Sequence, residues 1–247
     1  PGGLDARLLS FIDFAPSALR WAGVEAPDWL QGVPVLADPA ARREYVFASK
    51  DRLDEMLFHE RAVRDARFKY IVNDRPGEPG GKTLRYREQL ATMQELHAWH
   101  DSGRMSAQQA FWFQPRPREE FYDLALDPHE VNNLAADPAY AAELERLRNA
   151  LADWQDRVPD LSSEPEAAMA ERFWPDGVQP VTGAPVLTVE EGWIRITSTT
   201  PGASIGYRLG SEGRWLLYTG PFEAPEDESV EAKAVRYGWR ESAVTVQ

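Results

Sequence analysis

Between residues 59 and 74 the chain reads HERAVRDARFKYIVND, and its apolar positions recur every second residue. Val63, then Phe68, Tyr70 and Val72, predict two antiparallel strands with a turn near 64–67. REYVFAS (43–49) predicts a strand before them, and RPGEPGGK a loop tip after them. The period then lengthens. From about Arg85 to His100, Leu90, Met93, Leu96 and His100 share one helical face, and Gly103 ends it. Ser106-Ala-Gln-Gln109 has the form of a capping box opening a short helix that carries Phe111, Trp112 and Phe113. Tyr140, Leu144, Leu147, Leu151 and Trp154 predict a long amphipathic helix. Beyond residue 184 the period returns to two in PVLTVE, WIRITS, SIGYRL, WLLYTG, VEAKAVRYG and SAVTVQ, six short strands cut by Gly, Pro and Asp turns.

Punctuation fills in the rest. Residues 10–23 predict a strand end at Phe11 and Ile12 and then a helix, with Asp13 as N-cap, Pro16 in the first turn and Gly23 as the stop. Pro27, Gly32, Pro34 and Pro39 keep the following segment irregular. In EEFYDLALDPHEVNNLA (119–135), Asp127 as N-cap, Pro128 at N1 and Glu130 at N3 predict a helix start, and Asp137-Pro138 repeats the device. His129 would stand at N2, where no metal-spaced partner accompanies it, so a structural role is favoured over chemistry. From 156 to 184, Pro159, Pro165, Pro175, Pro180 and Gly183 mark an acidic linker with one short helix near 167–173.

Composition excludes several classes of chemistry. The 247 residues contain no Cys, which removes disulfides, thiolate metal sites and Cys nucleophiles. A net charge of −13 opposes general nucleic-acid binding, and no apolar run is long enough for a membrane span. Charge is nevertheless uneven: Arg42 to Arg87 holds twelve Lys and Arg against eight Asp and Glu. That segment is either an ion-paired surface or a local anion-facing region. His97 and His100 stand at i and i+3 without a third donor in register, and no Gly-x-Ser-x-Gly elbow supports a Ser nucleophile.

Two resemblances follow from these stretches. SFIDFAPSALRWAGV resembles the segment by which type I, formylglycine-dependent sulfatases of the arylsulfatase family leave their alkaline-phosphatase-like catalytic domain. RAVRDARFKYIVN, followed by EFYDLALDPHEVNNLA, resembles their C-terminal subdomain, a small antiparallel sheet crossed by a last helix. GASIGYRLGSEGRWLLYTGPFEAPEDESVEAKAVRYGWRES is similar to the C-terminal β-module of chitobiases and related hexosaminidases. The expected fold class is therefore α+β, a small antiparallel sheet with packed helices followed by a small all-β sandwich. The expected divisions are 1–40 (end of the catalytic domain), 41–157 (C-terminal subdomain), 158–184 (linker) and 185–247 (β-module).

The sulfatase resemblance implies a formylglycine nucleophile made within a Cys/Ser-x-Pro-x-Arg motif, and a calcium ion held by Asp and Asn. The motif is absent here; the nearest serine, in Ser163-Glu164-Pro165-Glu166-Ala167, lacks the arginine. The chain thus reads as the C-terminal portion of a hydrolase of carbohydrate or aryl sulfate esters. It is expected to be inactive alone, with no catalytic or metal-binding residue and no cofactor of its own, and with the missing catalytic domain as packing partner. The resemblance places SKDRLDE (49–55) at the mouth of the catalytic pocket. There Lys50 and Arg52 would hold an anionic or hydroxyl-rich substrate, and Asp54 would accept from hydroxyls. The bland alternative is that these charges pair among themselves. A periplasmic or secreted location is what the family implies. The competing function is a non-catalytic module whose β-sandwich binds glycan or another domain.

Overall fold

The computed structural model describes residues 2–158 and 160–247, so Pro159 of the predicted linker lies outside the described residues. By contacts the chain divides into two compact units, residues 1–162 and 163–247. The mixed α+β class predicted above is what the structure has.

The first unit is built on a four-stranded antiparallel sheet in the order β1-β2-β3-β4, formed by β1 (Val46–Leu53), β2 (Met56–Arg64), β3 (Phe68–Asn73) and β4 (Glu119–Asp123). The register sets Phe47 against Val63, Val63 against Tyr70, and Tyr70 against Phe121, one row of large side chains on one face. Helix α4 (Ala141–Arg157) covers that row with Leu144, Leu147 and Leu151, and Trp154 stacks on Phe47 with centroids 4.9 Å apart. Leu147, Val63 and Phe121 are fully buried, so this row is the core, and it follows from the two periodicities read in the sequence. The opposite face is polar inside: Glu120 is buried with Tyr122 Oη at 2.6 Å, Asn73 Nδ2 at 2.8 Å and Arg116 on its carboxylate. Helices α1 (Phe14–Trp21), α2 (Ala91–Asp101) and the one-turn α3 (Ala107–Ala110) lie outside this layer.

Several local expectations need correction. Phe11–Asp13 is a 3-10 turn leading into α1, not a strand end. Asp13 stands at the N-cap but gives its carboxylate elsewhere: it accepts from Val33 N at 2.8 Å and from Arg43 Nε at 2.7 Å. The helix predicted from Arg85 begins at Ala91, after a 3-10 turn over Arg87–Gln89. No helix follows Asp127. Glu130 has φ +55°, a left-handed conformation that stops a helical turn, and its carboxylate bonds Lys69 Nζ at 2.7 Å instead of reaching back to the cap. Asp127 still satisfies backbone donors, those of Val131 and Asn132 at 2.8 Å each, but in a loop. The capping box at Ser106–Gln109 and the N-cap at Asp137 are present as read, and Gly23 closes α1 in the left-handed region, with Val24 N bonding Leu19 O at 2.9 Å.

In the second unit, α5 (Glu166–Phe173) precedes two antiparallel sheets. One joins β5 (Val186–Glu190), β6 (Trp193–Thr197) and β9 (Phe222–Glu223); the other runs β11-β10-β7-β8. Those four strands are β7 (Ala203–Leu209), β8 (Leu216–Leu217), β10 (Val230–Arg236) and β11 (Thr245–Val246). Ile194 and Ile196 from the first sheet meet Val230 and Ala232 from the second in one core, with Ile205, Tyr207 and Phe222 packed against it.

Candidate functional site

The candidate site is the turn end of the β1–β2 hairpin. Leu53 pairs with Met56, leaving Asp54 and Glu55 as a two-residue turn with Asp54 at φ +47°. The register shifts between Lys50 and Arg52, where Phe58 and His59 of β2 together oppose the single residue Asp51, so β2 carries a β-bulge. The predicted loop 49–55 is therefore mostly strand. Lys50 lies opposite Glu60, with its ammonium 3.4 Å from Glu60 Oε1 and 3.4 Å above the centroid of Phe58. Arg52 and Asp54 are both exposed at the tip, where Arg52 Nε donates to the Asp54 carbonyl at 2.8 Å. The fold thus places two of the three predicted residues together at the tip and draws the third back along the strand. Lys82 joins Lys50 over Phe58, 4.6 Å from its centroid.

Behind the bulge lies a cluster that the sequence did not announce. Arg61 is 2% exposed although fully charged. Its guanidinium bonds Asp51 Oδ1 at 2.7 Å, Asp160 Oδ2 at 2.9 Å and Ser162 Oγ at 2.6 Å, lining a cleft of about 390 Å³ with Ser49, Trp154 and Val158. Burial alone would lower the Arg61 pKa; bonds to Asp160 and Asp51 outweigh it and raise it. Asp160 is in turn held down to about 2, first by the Ser162 hydroxyl and then by Arg61. One signal was legible: Arg61 is two residues from Val63 on the same strand, a core-facing position where a charge must be paired.

Ser162 also completes a triad-like line. Its Oγ is 2.8 Å from His59 Nε2, and His59 Nδ1 is 2.6 Å from Asp74 Oδ2. Nucleophile chemistry does not follow. The hydroxyl proton is given to Asp160 Oδ1 and a lone pair receives Arg61 Nη2, so the oxygen is engaged on both sides. The arrangement is a strap fastening residues 160–162 to β2. His97 and His100 both pack on Phe113, and His97 Nε2 bonds Glu88 at 2.7 Å. His129 is exposed. Among the described residues no group of three or more His, Asp or Glu converges as for a metal ion, and no helix is long and apolar enough to cross a membrane.

The N-terminal arm bears on the same unit. Phe11 (87% exposed), Trp21 (66%) and Trp29 (77%) stand in solvent beside exposed Ile12 and Phe14, while Leu19 is partly covered. So many large apolar side chains in solvent on one short arm exceed the scattered single residues usual on a surface.

No protein-family model matches the chain. It is 37% identical over 246 residues to an ulvan-active sulfatase of Formosa agariphila, covering 96% of this chain and 41% of that protein. It is 26% identical over 200 residues to the human N-sulphoglucosamine sulphohydrolase, covering 70% of this chain and 38% of that one. The chain therefore spans about two fifths of the length of these curated relatives. Among solved structures, a 2-O GAG sulfatase is similar over 67% of this chain and 28% of its own, at 21% identity and a TM-score of 0.42. The chain is homologous to the first of these sulfatases over nearly its whole length and to the second over 70% of it.

Proposed function

We propose that this chain is the C-terminal portion of a hydrolase of sulfate esters, carried on a carbohydrate or an aryl alcohol, and that its β1–β2 hairpin offers Arg52 and Asp54 to the substrate. The observation carrying the proposal is the 37% identity to an ulvan-active sulfatase across 96% of the chain. The names of both relatives cited point to sulfated carbohydrate as the substrate class. Arg52 supplies a planar cationic fork suited to a sulfate or a pair of hydroxyls, and Asp54 supplies acceptors. Lys50, already engaged with Glu60 and Phe58, adds positive field behind them.

Formylglycine and calcium, which the sulfatase resemblance implies, do not fit the residues of this chain. It has no Cys/Ser-x-Pro-x-Arg motif, and no acidic or His cluster among its described residues suits a cation. Both groups would belong to residues outside this sequence, in a catalytic domain that also covers the apolar arm around Phe11 and Trp21. The second unit serves as an appended β-module of the type found in chitobiases.

The 247-residue chain, purified free of host sulfatases, should release nothing above a boiled control from a chromogenic aryl sulfate with calcium present. The longer coding frame around it should contain Cys/Ser-x-Pro-x-Arg, and its product should liberate sulfate from ulvan or from the aryl ester. A longer product that carries the motif but cleaves neither would overturn the reading; turnover by the 247-residue chain alone would overturn its inactivity.

A further inference from the structure

The outer face of the sheet β11-β10-β7-β8 carries a feature that the sulfatase reading does not use. Tyr207 and Ile205 point into the core, so Gly206 and Arg208 of β7 face outward. Ala232 likewise turns inward, which sends Glu231 and Lys233 of β10 outward, with Glu231 opposite Arg208 and Lys233 opposite Gly206. Trp215 lies on this surface. Its Cε3 is 3.6 Å from the position a β-carbon would take on Gly206, so the missing side chain is the seat on which the indole rests. The Arg208 guanidinium is 4.8 Å from the ring centroid and the Lys233 ammonium 4.7 Å, and the indole remains partly exposed.

Each cation is balanced within the sheet: Arg208 by Glu231 at 2.6 Å, Lys233 by Glu241 at 2.9 Å. The surface therefore combines a fixed aromatic plate with a rim of two donors and two acceptors and no net charge. A polyanion would gain little from such a rim. A purely apolar partner would leave four charged groups to desolvate. A sugar ring suits it better, because its C–H face covers an aromatic ring while its hydroxyls meet donors and acceptors at the edge. We propose that Trp215, between Arg208 and Lys233, is a platform on which the second unit holds a pyranose of a polysaccharide chain. The choice of polysaccharide as ligand rests on the proposed function above; the geometry of the platform does not.

The test uses the intact chain in native gels containing ulvan, chemically desulfated ulvan, or polyglutamate as a polyanion without sugar. Retardation by both ulvan forms, within about threefold of each other and little changed by added salt, is expected, because a neutral rim leaves no screened attraction to lose. Polyglutamate should not retard the chain. Trp215→Ala should weaken retardation roughly tenfold or more, as removal of a Trp anchor does. Equal retardation of Trp215→Ala and wild type, retardation by polyglutamate as strong as by ulvan, or no retardation by either ulvan form would overturn the proposal. So would self-association of the chain that is abolished by Trp215→Ala, since that assigns the face to a second copy. If Trp215→Ala does not fold, the wild-type indole N–H signals decide, with Trp215 identified by Trp215→Phe. A shift of that signal on titration with desulfated ulvan supports the platform, and nine unmoved signals overturn it. Since no turnover is measured, failure here leaves the sulfatase reading standing, and failure of that reading leaves the binding result intact.

Discussion

At the scale of single residues, Arg61 and its carboxylates couple the fold to pH. The Asp160 carboxyl, ordinarily near 3.8, is held down to about 2 in the folded chain by Ser162 and Arg61. Between those values the unfolded chain binds more protons, so the stability that Asp160 contributes is complete above the ordinary value and drains away as pH falls through the folded one. Urea midpoints measured from pH 6 to pH 2 should fall less steeply in Asp160→Asn than in wild type below about pH 4. Parallel acid limbs would show that Asp160 carries none of the acid sensitivity. A second residue-level contrast concerns Asp127 and His129. Asp127, buried and accepting two backbone N–H bonds, should lose about 0.5–2 kcal/mol on change to Ala. Exposed His129 should change stability by less than about 0.5 kcal/mol on the same substitution. Paired chemical-denaturation curves decide it, and a larger loss at His129 would reverse the two roles.

At the scale of elements, the hairpin turn is strained at Asp54. A left-handed residue with a side chain costs about 1 kcal/mol, less for Asp than for most, and Gly removes that cost while adding a comparable backbone entropy loss. Asp54→Gly should therefore stay within about 0.5 kcal/mol of wild type, whereas Asp54→Val should lose more than about 1 kcal/mol. Thermal unfolding of the two variants separates strain from side-chain bonding: a large loss in Asp54→Gly would mean that the carboxylate holds the turn. The sheet behind this turn and the helix over it were legible in the sequence because Val63 and Tyr70 obey a local period of two and Leu147 one of 3.6. The segment after Asp127 was not, because its outcome depends on Lys69, 61 residues away, which claims the Glu130 carboxylate. The candidate site divides the same way. Lys50, Arg52 and Asp54 announced themselves as a charged run, but the cluster behind them joins Arg61 to Asp160 and Ser162, 99 and 101 residues further on. Only the folded chain brings those together.

At the scale of the whole molecule, the exposed aromatic arm should govern behaviour in solution. Phe11 and Phe14 meet ring to ring at 5.0 Å, and with Trp21 and Trp29 they leave four large aromatics exposed on one arm. Sedimentation velocity should show the weight-average mass rising with concentration, and a triple change of Phe11, Phe14 and Trp21 to Ser should restore a monomer. A wild-type chain monomeric at every concentration would remove the argument that this surface needs a cover.

The arm owes its shape to one buried pair. Asp13, fully enclosed, is clasped by Arg43 and by the amide of Val33, while Ser17 donates to the Asp13 carbonyl at 2.6 Å. Burial would raise the Asp13 pKa, but Arg43 and the backbone amides of Val33 and Ser10 bring it below the usual carboxylate range, so the clasp stays closed at neutral pH. The helix that presents Phe14 and Trp21 is therefore already set before any surface meets it. Capture by a covering surface then needs no folding step, and its rate should lie in the ordinary docking range of about 10⁵–10⁷ M⁻¹s⁻¹ rather than below it. The same clasp denies the chain a retreat: with Ser10, Ser17 and Val33 all tied to Asp13, α1 is held where its aromatics cannot turn inward.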